Sequence, residues 1–227
     1  MVLLLVIGLG AVGAGGSLLY LEETRHATAA EADAAGQQEL ASLWQRMTIG
    51  QIFPKTASYG TTGGISPKAT LIGIAPQSSC AAAADPAVAQ ALNRYGCVTM
   101  LRATYADQSG TILATVGIAV MKSTSGAEQT LSAIQGQSTG GKTGILAVGF
   151  PGTAFPGSAR EVFGTEADAR GPYLFFYTAG YADGRSTTMQ QSNGESITTD
   201  IGSGVMNSIS LAFTAPAKPC ASKDISC

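Results

Sequence analysis

The chain has 227 residues, with 13 Lys plus Arg against 15 Asp plus Glu, a formal net charge of −2 and only 12% charged residues. A typical soluble domain carries about 25%. A hydrophobic content of 45% with so little charge excludes a disordered chain. The missing basic excess excludes the usual nucleic-acid footprint, and a single long apolar run excludes a multi-span membrane protein.

That run fills residues 2–21, VLLLVIGLGAVGAGGSLLYL, without one charge. At about 1.5 Å per residue, roughly 20 apolar residues in a helix cross a hydrocarbon core. Tyr20 stands where an aromatic ring suits the headgroup boundary, and Glu22, Glu23, Arg25 and His26 follow at once. The run predicts a single transmembrane helix in contact with the bilayer, with residues 22–227 outside the cytoplasm. A rival reading exists, because Gly8, Gly10 and Gly13 match the G-x-G-x-x-G of dinucleotide sites. That fold needs a second apolar strand ending near an acidic residue. Here RHATAAEADAAGQQ follows, Ala-rich and helical in character, with Asp33 inside it. A cleaved signal peptide needs basic residues before the apolar core, and none precede it. No Cys follows the run to carry a lipid anchor. Whether a cytoplasmic segment precedes Met1 stays open. Small residues recur at four-residue spacing (Gly10/Ala14, Ala11/Gly15, Gly13/Ser17), a pattern that packs helices together and allows a homo-oligomer.

Residues 22–53 form an expected helical stalk. Leu40, Leu43, Trp44 and Met47 recur at helical period, so its later part docks on a core. Pro54, Gly60, Gly63, Gly64 and Pro67 then mark a loop, and residues 54–227 form the expected extracytoplasmic domain. Within it, 69–75 reads as a strand. Asp85-Pro86 opens a helix to about Tyr95, with Gly96 as its stop. Strands are expected at 98–106 and 111–121, joined by the turn Asp107-Gln108-Ser109-Gly110. A helix at 125–134 and a strand at 145–150 complete β-α-β-β-α-β, the order of a ferredoxin-like plait. The fold class is therefore α+β, an antiparallel sheet with helices. A further hairpin is expected from 173–181 through Asp183-Gly184 to 186–189, then a C-terminal helix at 200–213 stopped by Pro216. Tyr105-Ala106-Asp107 and Tyr181-Ala182-Asp183 end the long strands of the two passes, which raises a degenerate two-fold repeat.

The four cysteines are Cys80, Cys97, Cys220 and Cys227. An even count behind an anchor favours disulfides and an oxidising compartment. Three pairings exist in principle, and proximity in sequence favours 80–97 and 220–227. Zinc would want C-x-x-C spacing or His partners, and neither occurs. Residues 136–143, GQSTGGKT, fit a P-loop pattern. A P-loop needs a strand before it and a helix after it, and here that order is inverted. His26 is the one His and lies beside the apolar run, which excludes a Ser-His-Asp or Cys-His site in the domain. No catalytic residue, cofactor or metal is expected. Tyr173, Phe175 and Tyr177 share one face of a strand, and such a face either packs a core or meets a partner. The long loop 151–172, which carries Glu161 and Arg170, is the element expected to face a protein partner.

The stretch CAAAADPAVAQALNRYGCVTMLRATYADQSGTILATVGIAVM, with the anchor and LWQRMTIGQIFP before it, resembles extracytoplasmic domains of single-pass membrane proteins in high-GC Gram-positive bacteria. The resemblance rests on pattern and composition, covers most of the chain beyond residue 40 and carries over no functional residue. It implies a cell-envelope location. The expected function is binding or scaffolding, as an accessory of envelope assembly or of a secretion or injection apparatus. The alternatives are a ligand-sensing domain that signals through the anchor and, least supported, a cytosolic nucleotide-dependent enzyme.

Overall fold

A computed structural model of the chain describes residues 28–60, 66–135, 144–153, 155, 160–167, 171–184 and 197–213, with 160–167 and 197 described for their backbone alone. The apolar run 2–21, the glycine motif 136–143, Arg170, the expected return strand 186–189, Cys220 and Cys227 lie outside these residues. Among the described residues, no helix is long and apolar enough to cross a membrane. Among the described residues, those from Leu40 onward belong to one compact unit.

Helix α1 (Ala29–Arg46) begins at a capping box. The Thr28 hydroxyl accepts from the Glu31 N–H at 3.3 Å, and the Glu31 carboxylate accepts from the Thr28 N–H at 2.8 Å. Its last turns place Leu43 and Trp44 against the core, as their spacing predicts. A short helix α2 (Ile49–Ile52) leads into β1 (Thr56–Ser58), which pairs with β2 (Lys68–Ile74). Helices α3 (Cys80–Ala83) and α4 (Pro86–Arg94) follow. Pro86 occupies the first turn of α4, where its missing N–H costs nothing, and Gly96 leaves the helix at φ 88°. Strands β3 (Cys97–Ala106) and β4 (Ile112–Met121) form a hairpin, and α5 (Thr124–Gln135) follows. Later in the chain come β5 (Arg160–Ala167), β6 (Tyr173–Tyr181), α6 (Ile197–Ser210) and a 3-10 turn (Leu211–Phe213).

The fold is α+β, with a curled antiparallel sheet. The sheet order is β1-β2-β3-β4-β6-β5. This is not the ferredoxin-like order. In that plait another strand separates the two joined through a helix, whereas β2 pairs directly with β3. Residues 145–150, expected as a strand, supply no ladder to the sheet and instead cross one of its faces. The second hairpin also differs. Both edges of β6 are taken, by β4 and by β5, the latter from the stretch expected as a long loop. Strand-strand-helix does occur twice, as β3-β4-α5 and β5-β6-α6. The two YAD triplets are not equivalent, however, since one ends the first strand of its unit and the other ends the second.

Every residue of β4 is buried, and so is β6 up to Gly180. The reason is that both faces of the sheet are covered, so these strands read as continuous apolar runs. On one face Val116, Ile118, Tyr173, Phe175 and Tyr177 pack with Ile201, Val205, Ile209 and Phe213. On the other, Met100, Ala119, Met121, Leu174 and Phe176 pack with Val88, Leu92, Ala127 and Ile145. Helices α5 and α6 therefore lie on opposite faces.

The segment 144–150 is a strap gripped by side chains. Arg102 Nη1 donates to the Leu146 carbonyl at 3.1 Å. Two residues further on, Thr104 Oγ1 donates to the Val148 carbonyl at 2.8 Å. Thr115 Oγ1 accepts from the Val148 N–H at 3.0 Å and lies 2.8 Å from Thr104 Oγ1. Since the Thr104 proton goes to a carbonyl, Thr115 must donate to Thr104. Two threonines thus close a ring that satisfies both backbone groups of Val148.

Candidate functional site

Among the described residues one disulfide is present. It joins Cys80, at the start of α3, to Cys97, at the start of β3, with an S–S distance of 1.99 Å. It is one of the two pairings that sequence proximity favours. The bridge closes a loop around α3 and α4. Cys80 is buried and Cys97 half-buried.

The aromatic residues Tyr173, Phe175 and Tyr177 do not form an open surface. Tyr173 and Phe175 are fully buried and Tyr177 nearly so. Phe213 closes over them, its ring centroid 4.8 Å from Tyr173 and 5.5 Å from Phe175 in edge-to-face contact. The Tyr173 hydroxyl donates to the Leu40 carbonyl at 2.5 Å and accepts from the Trp44 N–H at 3.2 Å, which ties the end of α1 to the sheet. This face is core, because α6 and the 3-10 turn cover it. Glu161 lies on the edge strand β5; Arg170 is outside the described residues, so the two are not seen together.

An open cleft of about 340 Å³ lies between the end of β1 and α6, lined by Ser58, Tyr59, Gly60, Ser66, Asp200, Ser203, Gly204 and Asn207. Asp200 sits in the first turn of α6, where a negative charge suits the helix dipole. Gly204 lets the helix close on the chain: a Cβ there would stand 2.5 Å from Tyr59 Cα. Burial raises the Tyr59 phenol above its usual range. The negative charges of Asp107 and Asp200 add to this, while a hydrogen bond from the Gln108 backbone opposes it. Asp107 caps the β3–β4 turn. Burial pushes its carboxyl upward, but bonds from Ile112 N–H, Ser109 and Thr111 outweigh burial and leave it below its ordinary value.

Three serine hydroxyls, the Tyr59 phenol, one amide and one carboxylate give the cleft a hydrogen-bonding lining. Nothing in the sequence marked Ser58, Ser66 or Asn207, because isolated Ser and Asn in loops and helices have no distinguishing pattern. Among the described residues no group of three His, Cys, Asp or Glu could hold a metal ion. Large apolar side chains are exposed at Ile49, Ile72, Val98 and Leu211, one each on four elements, as is ordinary for a protein surface. No family model, characterised protein or solved structure matches the chain.

Proposed function

We propose that this chain is a membrane-anchored extracytoplasmic binding or scaffold domain, an accessory of cell-envelope assembly or of a secretion or injection apparatus. The observation that carries the reading is the Cys80–Cys97 bridge, since such bonds persist in oxidising compartments and are rare in a reducing cytosol. The uncharged run 2–21 supports the anchor, and its bilayer contact is the first partner. The expected second partner is a protein outside the cell or in the membrane.

The ligand-sensing alternative draws on the open cleft.

Protease shaving of intact cells tests the proposal. Residues 54–227 are expected to be cut from outside while a cytoplasmic marker stays whole. Protection of the domain until the cells are lysed would overturn it.

A further inference from the structure

The strap 144–150 is held from two sides. On one side are the sheet side chains Arg102, Thr104 and Thr115. On the other is the link between α3 and α4. There Ala84 and Ile145 form an isolated antiparallel bridge, in which Asp85 N–H donates to the Gly144 carbonyl at 2.9 Å and Leu146 N–H to the Ala83 carbonyl at 2.8 Å. The Asp85 carboxylate also accepts from Gly144 N–H at 2.8 Å. Residues 83–85 lie within the loop that the disulfide closes. The bridge therefore fixes the platform on which the strap begins. The platform is also tied by the pairing of Ser78 with Met100 just before α3 and by Ala83, Val88 and Leu92, which pack into the core.

The strap has no β-ladder of its own. Its backbone is held by a two-residue bridge and by side-chain bonds, with Ile145 seated in the core, which places it below β3, β4 and β6, each paired on both sides, in local stability. Loop closure by a disulfide acts on such an element by denying its platform alternative positions.

We propose that the Cys80–Cys97 bridge is a redox-sensitive latch, and that its reduction by a dithiol releases the strap while the sheet stays folded. A reductant thiolate attacks the Sγ of half-buried Cys97. The S–S bond breaks, and Cys80 leaves as a thiolate and takes up a proton. The second reductant thiol then attacks the mixed disulfide, so Cys97 is freed as a thiol and the reductant ends as its own disulfide. Release uncovers Arg102, Thr104 and Thr115, whose donors and acceptor match an extended backbone at two-residue spacing. The latch does not depend on where the domain resides.

The test is amide hydrogen exchange read by mass spectrometry on the full chain in detergent, with Cys220→Ser and Cys227→Ser so that one pair remains. Exchange is followed before and after addition of dithiothreitol. Peptides covering 144–150 are expected to exchange at least about tenfold faster after reduction, with β4 unchanged. Asp85→Ala, which removes the carboxylate grip on Gly144, is expected to speed strap exchange without any reductant. Unchanged strap exchange after complete reduction would overturn the proposal. So would a rise in the strap only in parallel with β4, which is global unfolding.

Discussion

Single atoms decide several of the packing choices. Thr115→Val keeps the shape of the side chain but leaves the buried end of the Val148 N–H bond empty, at an expected cost of about 1–3 kcal/mol. Thr104→Val strands the Val148 carbonyl in the same ring. The double variant is therefore expected to cost less than the two single costs combined, which urea denaturation of the four proteins checks. Glycines show the opposite balance at two helical positions. At Gly50 an added Cβ would meet nothing within 4 Å, so Gly50→Ala is expected to stabilise by up to about 1 kcal/mol through helix propensity. Gly204 faces Tyr59 backbone, so Gly204→Ala is expected to lose about 1–3 kcal/mol despite the same gain. Thermal melts of the pair give opposite signs if the close approach is as described. Tyr173 carries a pH prediction. Burial is the main cause that pushes its phenol up to about 12, against an unfolded value near 10. Below about pH 10 both states hold the proton and stability is unaffected. Between about 10 and 12 the unfolded chain loses a proton that the folded one keeps, so stability falls. Tyr173→Phe is expected to flatten that fall, measured as the urea midpoint between pH 9 and pH 11, while lowering stability at neutral pH through the lost bonds to Leu40 and Trp44.

At the scale of elements, the central strands and their helices were legible in the residues. Pro86 and Gly96 bracket α4, and the turn formers 107–110 lie between β3 and β4. What periodicity could not give was partner choice. Residues 145–150 are apolar enough for a strand, yet their backbone bonds go to Thr104, Thr115, Arg102 and Ala83, and side-chain grips of that kind leave no trace in hydropathy. β5 was missed for the converse reason. REVFGTEA holds three charges in eight residues, a composition that resembles loop and also suits an edge strand kept from pairing further. The aromatic run of β6 read first as a core strand and second as a partner surface, and the position of α6 and Phe213 decides for core. The bridge also acts at this scale. It joins positions 17 apart, and loop entropy gives its removal a cost of about 3 kcal/mol. Cys80→Ser with Cys97→Ser is expected to lower the urea midpoint accordingly, and an unchanged midpoint would mean that the pairing of Ser78 with Met100 already holds the loop.

For the whole molecule, low charge and a positive mean hydropathy of +0.19 have separate origins. The run 2–21 accounts for nearly all of the positive hydropathy. The low charge belongs to the domain, whose polar positions are filled by Ser, Thr and Gly. A buried threonine layer under the strap and a Ser- and Asn-lined cleft at the end of β1 are where that composition becomes structure. The proposed location outside the cytoplasm follows from the anchor and the bridge together, and it is most directly tested by the thiol state of the protein in its own cells. Cells are quenched with acid, free thiols are blocked with N-ethylmaleimide, and the chain is then reduced and tagged with a heavy maleimide. Cys80 and Cys97 are predicted to carry the heavy tag, having been joined at the moment of quenching. Both residues carrying N-ethylmaleimide instead would show free thiols in the living cell and contradict an extracytoplasmic, disulfide-braced domain.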